Sequence, residues 1–175
     1  CNPDTPGVHT IRFEVDTDGD VAETNENNNF LEKTFTWAGP DLTVTDIVLD
    51  PAVPLIEEGK LTATIANIGT YDTDLLLNID VKFFIDGVEC DTGILIGGLG
   101  EGNDATEDST SCNPTEPGMH VIRVEVDYTG EVPEEDETNN VLEKTFLWEG
   151  GADLVFTDLV LDPAEPRVGE GDLTA

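Results

Sequence analysis

The chain has 175 residues, of which 39 are acidic and 7 basic, for a formal charge of −32. So negative a surface repels nucleic acid and anionic lipid, which argues against both as partners. No run of eighteen apolar residues is present, so direct membrane insertion as a helix is not expected, and no signal peptide or lipidation motif is visible.

Helix signals are nearly absent and period-2 alternation is frequent. His9, Ile11, Phe13 and Val15 share one face of a strand, and a stretch ending in Trp37 closes this first segment. Seven strands then follow at about 41–49, 60–67, 78–85, 88–96, 104–112, 119–127 and 140–148. In the first of these the alternation breaks near Asp46, which predicts a bulge or a change of sheet. Leu61, Ala63 and Ile65 alternate with Thr62, Thr64 and Ala66, and Ile79, Val81, Phe83 and Ile85 with Asp80, Lys82 and Phe84. Asp86-Gly87 then predicts a hairpin turn. His120, Ile122, Val124 and Val126 repeat the phase of the His9 strand.

Cys1 to Ala63 reads again as Cys112 to Ala175, shifted by 111 positions and, after one inserted linker residue, by 112. About 39 of 63 aligned positions are identical, so the copies are a true internal repeat. The expected fold is therefore all-β: tandem immunoglobulin-like sandwiches of about 111 residues, one complete and two partial. Residues 1–37 read as the C-terminal half of a preceding unit, 41–148 as a complete one and 153–175 as the first strands of a following one. Neither part can close a two-layer core alone, so each is expected to need strands from a continuing chain or another subunit. Linkers of only three and four residues, Ala38-Gly39-Pro40 and Glu149-Gly150-Gly151-Ala152, place consecutive units nearly end to end. Trp37 and Trp148 beside them either pack on the junction or cap their own cores.

Three cysteines become even per unit once the repeat is applied. Cys90 and Cys112 can pair, and Cys1 is the equivalent of Cys112 with its partner expected upstream. A bridge implies an oxidising location. The rival readings, a metal site or a reactive thiol, lack a CxxC pair or a Cys/His cluster.

The connection before the last strand is the most chemically loaded segment, Asp16 to Asn29 in one copy and Asp127 to Asn140 in the other. Hard cations such as calcium take six to eight oxygen ligands, readily supplied by carboxylates and amides of one loop. The candidate ligands are Asp16, Asp18, Asp20, Glu23, Glu26 and Asn28, and in the second copy Asp127, Glu131, Glu134, Glu137 and Asn139. The stretch DTDGD is not an EF-hand, because Gly19 comes too early and Asn27 stands where the bidentate Glu belongs. Thr129 replaces Asp18 in the second copy, so a shared site cannot depend on that aspartate. The alternative is that the Asn pairs form turns and the acids are solvated.

The segments PDLTVTDIVLDPAVP, ANIGT and PGMHVIRVEVD, with ETNENNN or DETNN before a final strand, resemble the CARDB domain, the cell-adhesion-related domain found in bacteria and archaea. The resemblance covers the complete unit and both flanking parts. It implies an immunoglobulin-like sandwich, usually tandem, in secreted or surface-attached proteins, and no enzymatic activity or ligand residues. In that topology the Asp127–Asn140 loop should lie at the pole where the chain arrives, near Asp41, Gly69–Asp74 and the Asn2–Gly7 turn.

No nucleotide-binding glycine loop or nucleophile elbow appears, and His9 and His120 read as structural, so an enzyme is not expected. The expected function is a non-enzymatic structural repeat of an extracellular or cell-surface filament, stalk or fibre, its rigid units stiffened by Ca2+. Its expected partners are neighbouring identical repeats or subunits. The alternative is an adhesion module binding carbohydrate or protein, for which Tyr71 and Leu75-Leu76-Leu77 would be contacts; the other reading of these residues, which is preferred, is that they pack against the neighbouring unit.

Overall fold

The computed structural model describes residues 2–155, 157, 159–162, 167–169 and 172–174. Cys1, and with it the expectation of an upstream partner for its thiol, lies outside the described residues, as do parts of 153–175. Among the described residues there are eleven strands and no helix. They are β1 Gly7–Glu14, β2 Phe30–Trp37, β3 Leu42–Asp50, β4 Lys60–Asn67, β5 Ile79–Ile85, β6 Val88–Leu95, β7 Asp104–Ser109, β8 Gly118–Val126, β9 Val141–Trp148, β10 Val160–Asp162 and β11 Asp172–Thr174.

Strands β3 to β9 make two antiparallel sheets, of order β3-β4-β7 and β6-β5-β8-β9. This is the strand partition of an immunoglobulin-like sandwich. Alternation builds its core: Leu61, Ala63 and Ile65 of β4 face Val81 and Phe83 of β5 and Ile122, Val124 and Val126 of β8, all buried. The break near Asp46 is a bulge, the register shifting between Val44 and Asp46. Leu42 and Val44 before it and Ile47 and Leu49 after it therefore all point inward. Asp86 and Gly87 both have positive φ, 49° and 80°, the backbone of a tight type I′ hairpin.

The strand starting at Asp104 ends at Ser109, short of the expected 112. Ser109 is the last residue of the ladder, paired with Leu61; its Oγ donates to Asp91 Oδ2 at 2.7 Å, and the chain then turns to bring Cys112 to Cys90. These two cysteines form a disulfide with Cα atoms 5.1 Å apart. Trp148 is wholly buried and donates from Nε1 to Glu58 O at 2.9 Å, so it caps its own core.

The flanking strands reproduce pieces of this sandwich. Strands β1 and β2 pair from Gly7↔Trp37 to Glu14↔Phe30, as β8 and β9 pair from Gly118↔Trp148 to Glu125↔Val141. Strands β10 and β11 pair Val160↔Thr174, as β3 and β4 pair Val48↔Thr62. Among the described residues no sheet covers β1 and β2: Phe13 is 67% exposed, whereas its counterpart Val124 is fully buried.

The sandwich has two poles. The proximal pole, where the chain arrives, gathers Gly39–Leu42, the 67–77 loop and the 127–140 loop. The distal pole gathers the 51–59 loop, the Asp86-Gly87 hairpin, the disulfide and Trp148.

Candidate metal centre at the proximal pole

The loop leaving β8 is organised by Asp127. Its φ of 46° turns the chain sharply, its carbonyl accepts from Gly130 N–H at 2.9 Å, and its carboxylate accepts from the N–H groups of Glu131 and Val132, both at 3.1 Å. Val132 is thereby pulled into the core. A second tight turn follows, in which Glu134 N–H donates to Glu137 Oε1 at 3.0 Å and Thr138 N–H to Asp136 Oδ1 at 2.9 Å. The two turns bring carboxylate oxygens of Asp127, Glu134 and Glu137 within 4.8 Å of one another.

This cluster is half inside the protein. Asp127 and Glu134 are buried and Glu137 is exposed. Glu134 Oε2 accepts from Leu42 N–H, at the first residue of β3, and Oε1 accepts from Asn140 Nδ2 at 2.8 Å. Burial nevertheless pushes the Glu134 carboxyl up to about 8, assisted by the charges of Asp127 and Glu137 and opposed by those two hydrogen bonds. Asp127 is also raised, by burial first, and Glu137 and Asp80 add to it. Two ionised carboxylates this close repel by roughly 3 kcal/mol at an effective dielectric of about 20. No basic side chain bonds to any of the three among the described contacts.

Two further oxygens point to a missing partner. Asn139 Oδ1 and Asn140 Oδ1 are buried and accept no hydrogen bond. Such orphans are rare in folded proteins. Asn140 shares a groove with Asp127 and Glu137.

The same loop holds the chain that enters the sandwich. Glu135 Oε1 accepts from Gly39 N–H at 2.8 Å and from Thr70 Oγ1 at 2.8 Å, and Glu135 N–H donates to Pro40 O at 2.8 Å. Those contacts hold the Glu135 carboxyl below its ordinary value. Asn139 Nδ2 donates to Asp41 Oδ1 at 2.7 Å, and Thr43 Oγ1 to Asn139 O at 3.0 Å. The Asn2–Gly7 turn is also near, with Asp4 and Pro6 lining a groove beside Tyr71 and Val132.

Of the sequence candidates, then, the structure assembles Asp127, Glu134 and Glu137, whereas Asn139 bonds to Asp41 and Thr43 of the entering chain. Glu131 is exposed and contributes its N–H to Asp127 rather than a carboxylate to the cluster. In the first copy the local turns are the same. Asp16 accepts from Asp20 and Val21 N–H, and Glu23 N–H donates to Glu26 Oε1 at 2.9 Å. Yet Glu23, Glu26, Asp18, Asp20 and Asn28 are all exposed, and among the described residues they form no such cluster with Asp16. Glu134, by contrast, is buried and accepts from the Leu42 N–H at the start of β3.

Sequence reasoning offered the terminal Asn pair but passed over Glu135 and the Leu42 amide. The duplicated Asn-Asn pair was the signal for Asn140. The other two contacts depend on how the linker docks, which alternation does not encode.

The CARDB family profile matches residues 39–144. The chain belongs to the CARDB family. Among solved structures, the CARDB domain of a Pyrococcus furiosus protein, crystallised in complex with di-metal ions, is 25% identical. It has a TM-score of 0.51, and the match covers 65% of this chain and 97% of that one. A solution structure of that CARDB domain matches with the same identity and TM-score over 63% of this chain and 96% of its own. The 272–376 domain of a "putative cell surface protein" from Methanosarcina acetivorans is 26% identical, with a TM-score of 0.51, covering 63% of this chain and 92% of that one. No curated protein matches the chain. The CARDB match spans a single domain, from the linker residues that Glu135 grips to the middle of β9.

Proposed function

We propose that the chain is a non-enzymatic structural segment of a tandem extracellular array, in which a divalent cation, calcium, locks each CARDB sandwich to the linker that precedes it. The observation that carries this reading is that one short loop both concentrates Asp127, Glu134 and Glu137 and grips Gly39, Pro40, Asp41 and Leu42. A cation bound there ties the loop to the start of β3 through Glu134, whose other oxygen already holds the Leu42 amide.

The donor set fits the ion. Calcium bonds of 2.3–2.6 Å place two ligands of one ion at most about 5 Å apart, which the 4.8 Å cluster meets. Magnesium bonds near 2.1 Å would require the donors to close to about 4.2 Å. The unpartnered oxygens of Asn139 and Asn140 are hard donors of the kind calcium takes. The di-metal complex of the Pyrococcus furiosus relative supports a metal-binding loop in this family.

Three observations support an array outside the cytoplasm: the internal repeat, the uncovered apolar face of β1 and β2 that matches a buried face in the complete unit, and the disulfide. For a building block rather than an enzyme speaks the use made of His120. Its Nδ1 meets Asp86 Oδ2 at 2.6 Å, its Nε2 meets Glu116 O at 3.0 Å, and its ring packs edge-on to Trp148.

Small-angle scattering on the full-length protein tests the stiffening. With calcium the profile should fit a rigid, extended particle, and excess chelator should broaden its distance distribution. Identical profiles in both conditions would remove calcium from the proposal.

A further inference from the structure

The distal pole shows how one end of a unit is closed. The 51–58 loop lies along the exit linker: Ile56 N–H donates to Glu149 O at 3.0 Å, Glu149 N–H donates to Pro54 O at 2.9 Å, and Leu55 forms a parallel bridge with Glu149. The loop is also pinned to the turn before β8, Glu57 N–H donating to Pro114 O at 3.0 Å. Pro117 of that turn rests on the linker, 3.5 Å from where a Cβ on Gly150 would lie.

The 111-residue shift carries these positions to the proximal pole, where Pro114 becomes Pro3, Pro117 becomes Pro6, Glu149 becomes Ala38 and Gly150 becomes Gly39. Pro6 packs so closely on Gly39 that a Cβ there would clash with it, so the turn is seated as its counterpart is. Among the described residues no segment straps this linker. Ala38 is exposed, and among the described residues it makes neither of the backbone bonds that Glu149 makes. It lines a groove of about 310 Å³ with Asp4, Pro6, Tyr71, Leu77 and Val132. Tyr71 is 61% exposed beside it, with Leu75 and Leu76 exposed beyond.

We infer that this groove receives the distal loop of a preceding copy of the same unit, the segment equivalent to Pro51–Glu58. The loop straps onto Ala38 as 51–58 straps onto Glu149, and lays its Leu55 position against Tyr71. The occupant follows from continuity: Asp4 and Pro6 of the preceding unit already form one wall of the groove, and in the complete unit the strap is bonded directly to the same turn and the same linker residue. Apolar surface is exposed on both partners, Val53 and Leu55 at the distal pole and Tyr71 at the proximal one. In the following copy Arg167 stands at the Leu55 position. A guanidinium there suits the same groove, whose rim offers the Tyr71 ring and the carboxylates of Asp72 and Asp74.

The inference rests on the tandem reading above, and the two can fail separately. Hydrogen exchange on the full-length protein reads the strap at the Ala38 amide. Docking requires Ala38 N–H to be protected like Glu149 N–H, each on the order of 100-fold or more slower than unstructured peptide. The surface substitution Tyr71→Asp should release Ala38 by about 10-fold or more while leaving Glu149 unchanged. Free exchange at Ala38 beside a protected Glu149 overturns the docking, as does protection indifferent to Tyr71→Asp. Failure of the tandem reading appears elsewhere, as a chain of about 19 kDa on reducing denaturing electrophoresis, and it removes the occupant altogether.

Discussion

Glu134 concentrates the chemistry of the proximal pole in one side chain. It is 3% exposed, hydrogen-bonded through both oxygens, and raised from 4.5 to about 8 chiefly by burial. Between those values the folded protein holds a proton that the unfolded chain releases, so Glu134 stabilises the fold fully below about pH 4.5 and loses that contribution as pH rises through about 8. In excess chelator the melting temperature should therefore fall across this window. Glu134→Gln, which keeps an acceptor for the Leu42 amide without the charge, should flatten the fall. On the proposed function calcium would replace the proton as the compensating charge, so its stabilisation should grow with pH over the same range. Calcium-independent melting curves that are flat in pH would contradict this assignment.

Each element of the sandwich was legible where burial follows alternation. Strands β4, β5 and β8 announce themselves because Leu61, Val81 and Val124 recur at period 2 against polar neighbours, and the bulge in β3 because the phase breaks at Asp46. The end of β7 was less legible, since the chain turns away after Ser109, whose hydroxyl is held by Asp91 on another strand. The acidic loop was legible as composition but not as geometry. Glu23 and Glu134 sit in nearly the same local sequence and the same turn, yet only Glu134 is buried, by the start of a strand over 90 residues away. At the distal pole the Cys90–Cys112 bridge closes a sequence separation of 22 residues, and its removal should cost about 3 kcal/mol in the chain-entropy model. Trp148→Ala, which empties a fully buried site and orphans the Glu58 carbonyl, should cost about 3–5 kcal/mol. Denaturant unfolding of the reduced and substituted proteins checks both, and a change under about 1 kcal/mol in either would show that the distal pole closes without it.

At the scale of the whole molecule, the two poles have different means of attachment. The distal pole is covalently stapled and capped by Trp148, whereas the proximal pole depends on carboxylates that repel until a cation or proton joins them. With a net charge of −32 and linkers of three and four residues, consecutive units of the proposed array would otherwise repel along their length. In the proposed array, a cation at each proximal pole would both neutralise charge and fix the linker. The direct test is calorimetric titration of calcium into chelator-stripped protein. A saturable binding event should appear, lost in Glu134→Gln while the variant keeps its fold by circular dichroism. Calcium heats that are absent, or unchanged when Glu134 and Glu137 are both replaced by Gln, would contradict the account.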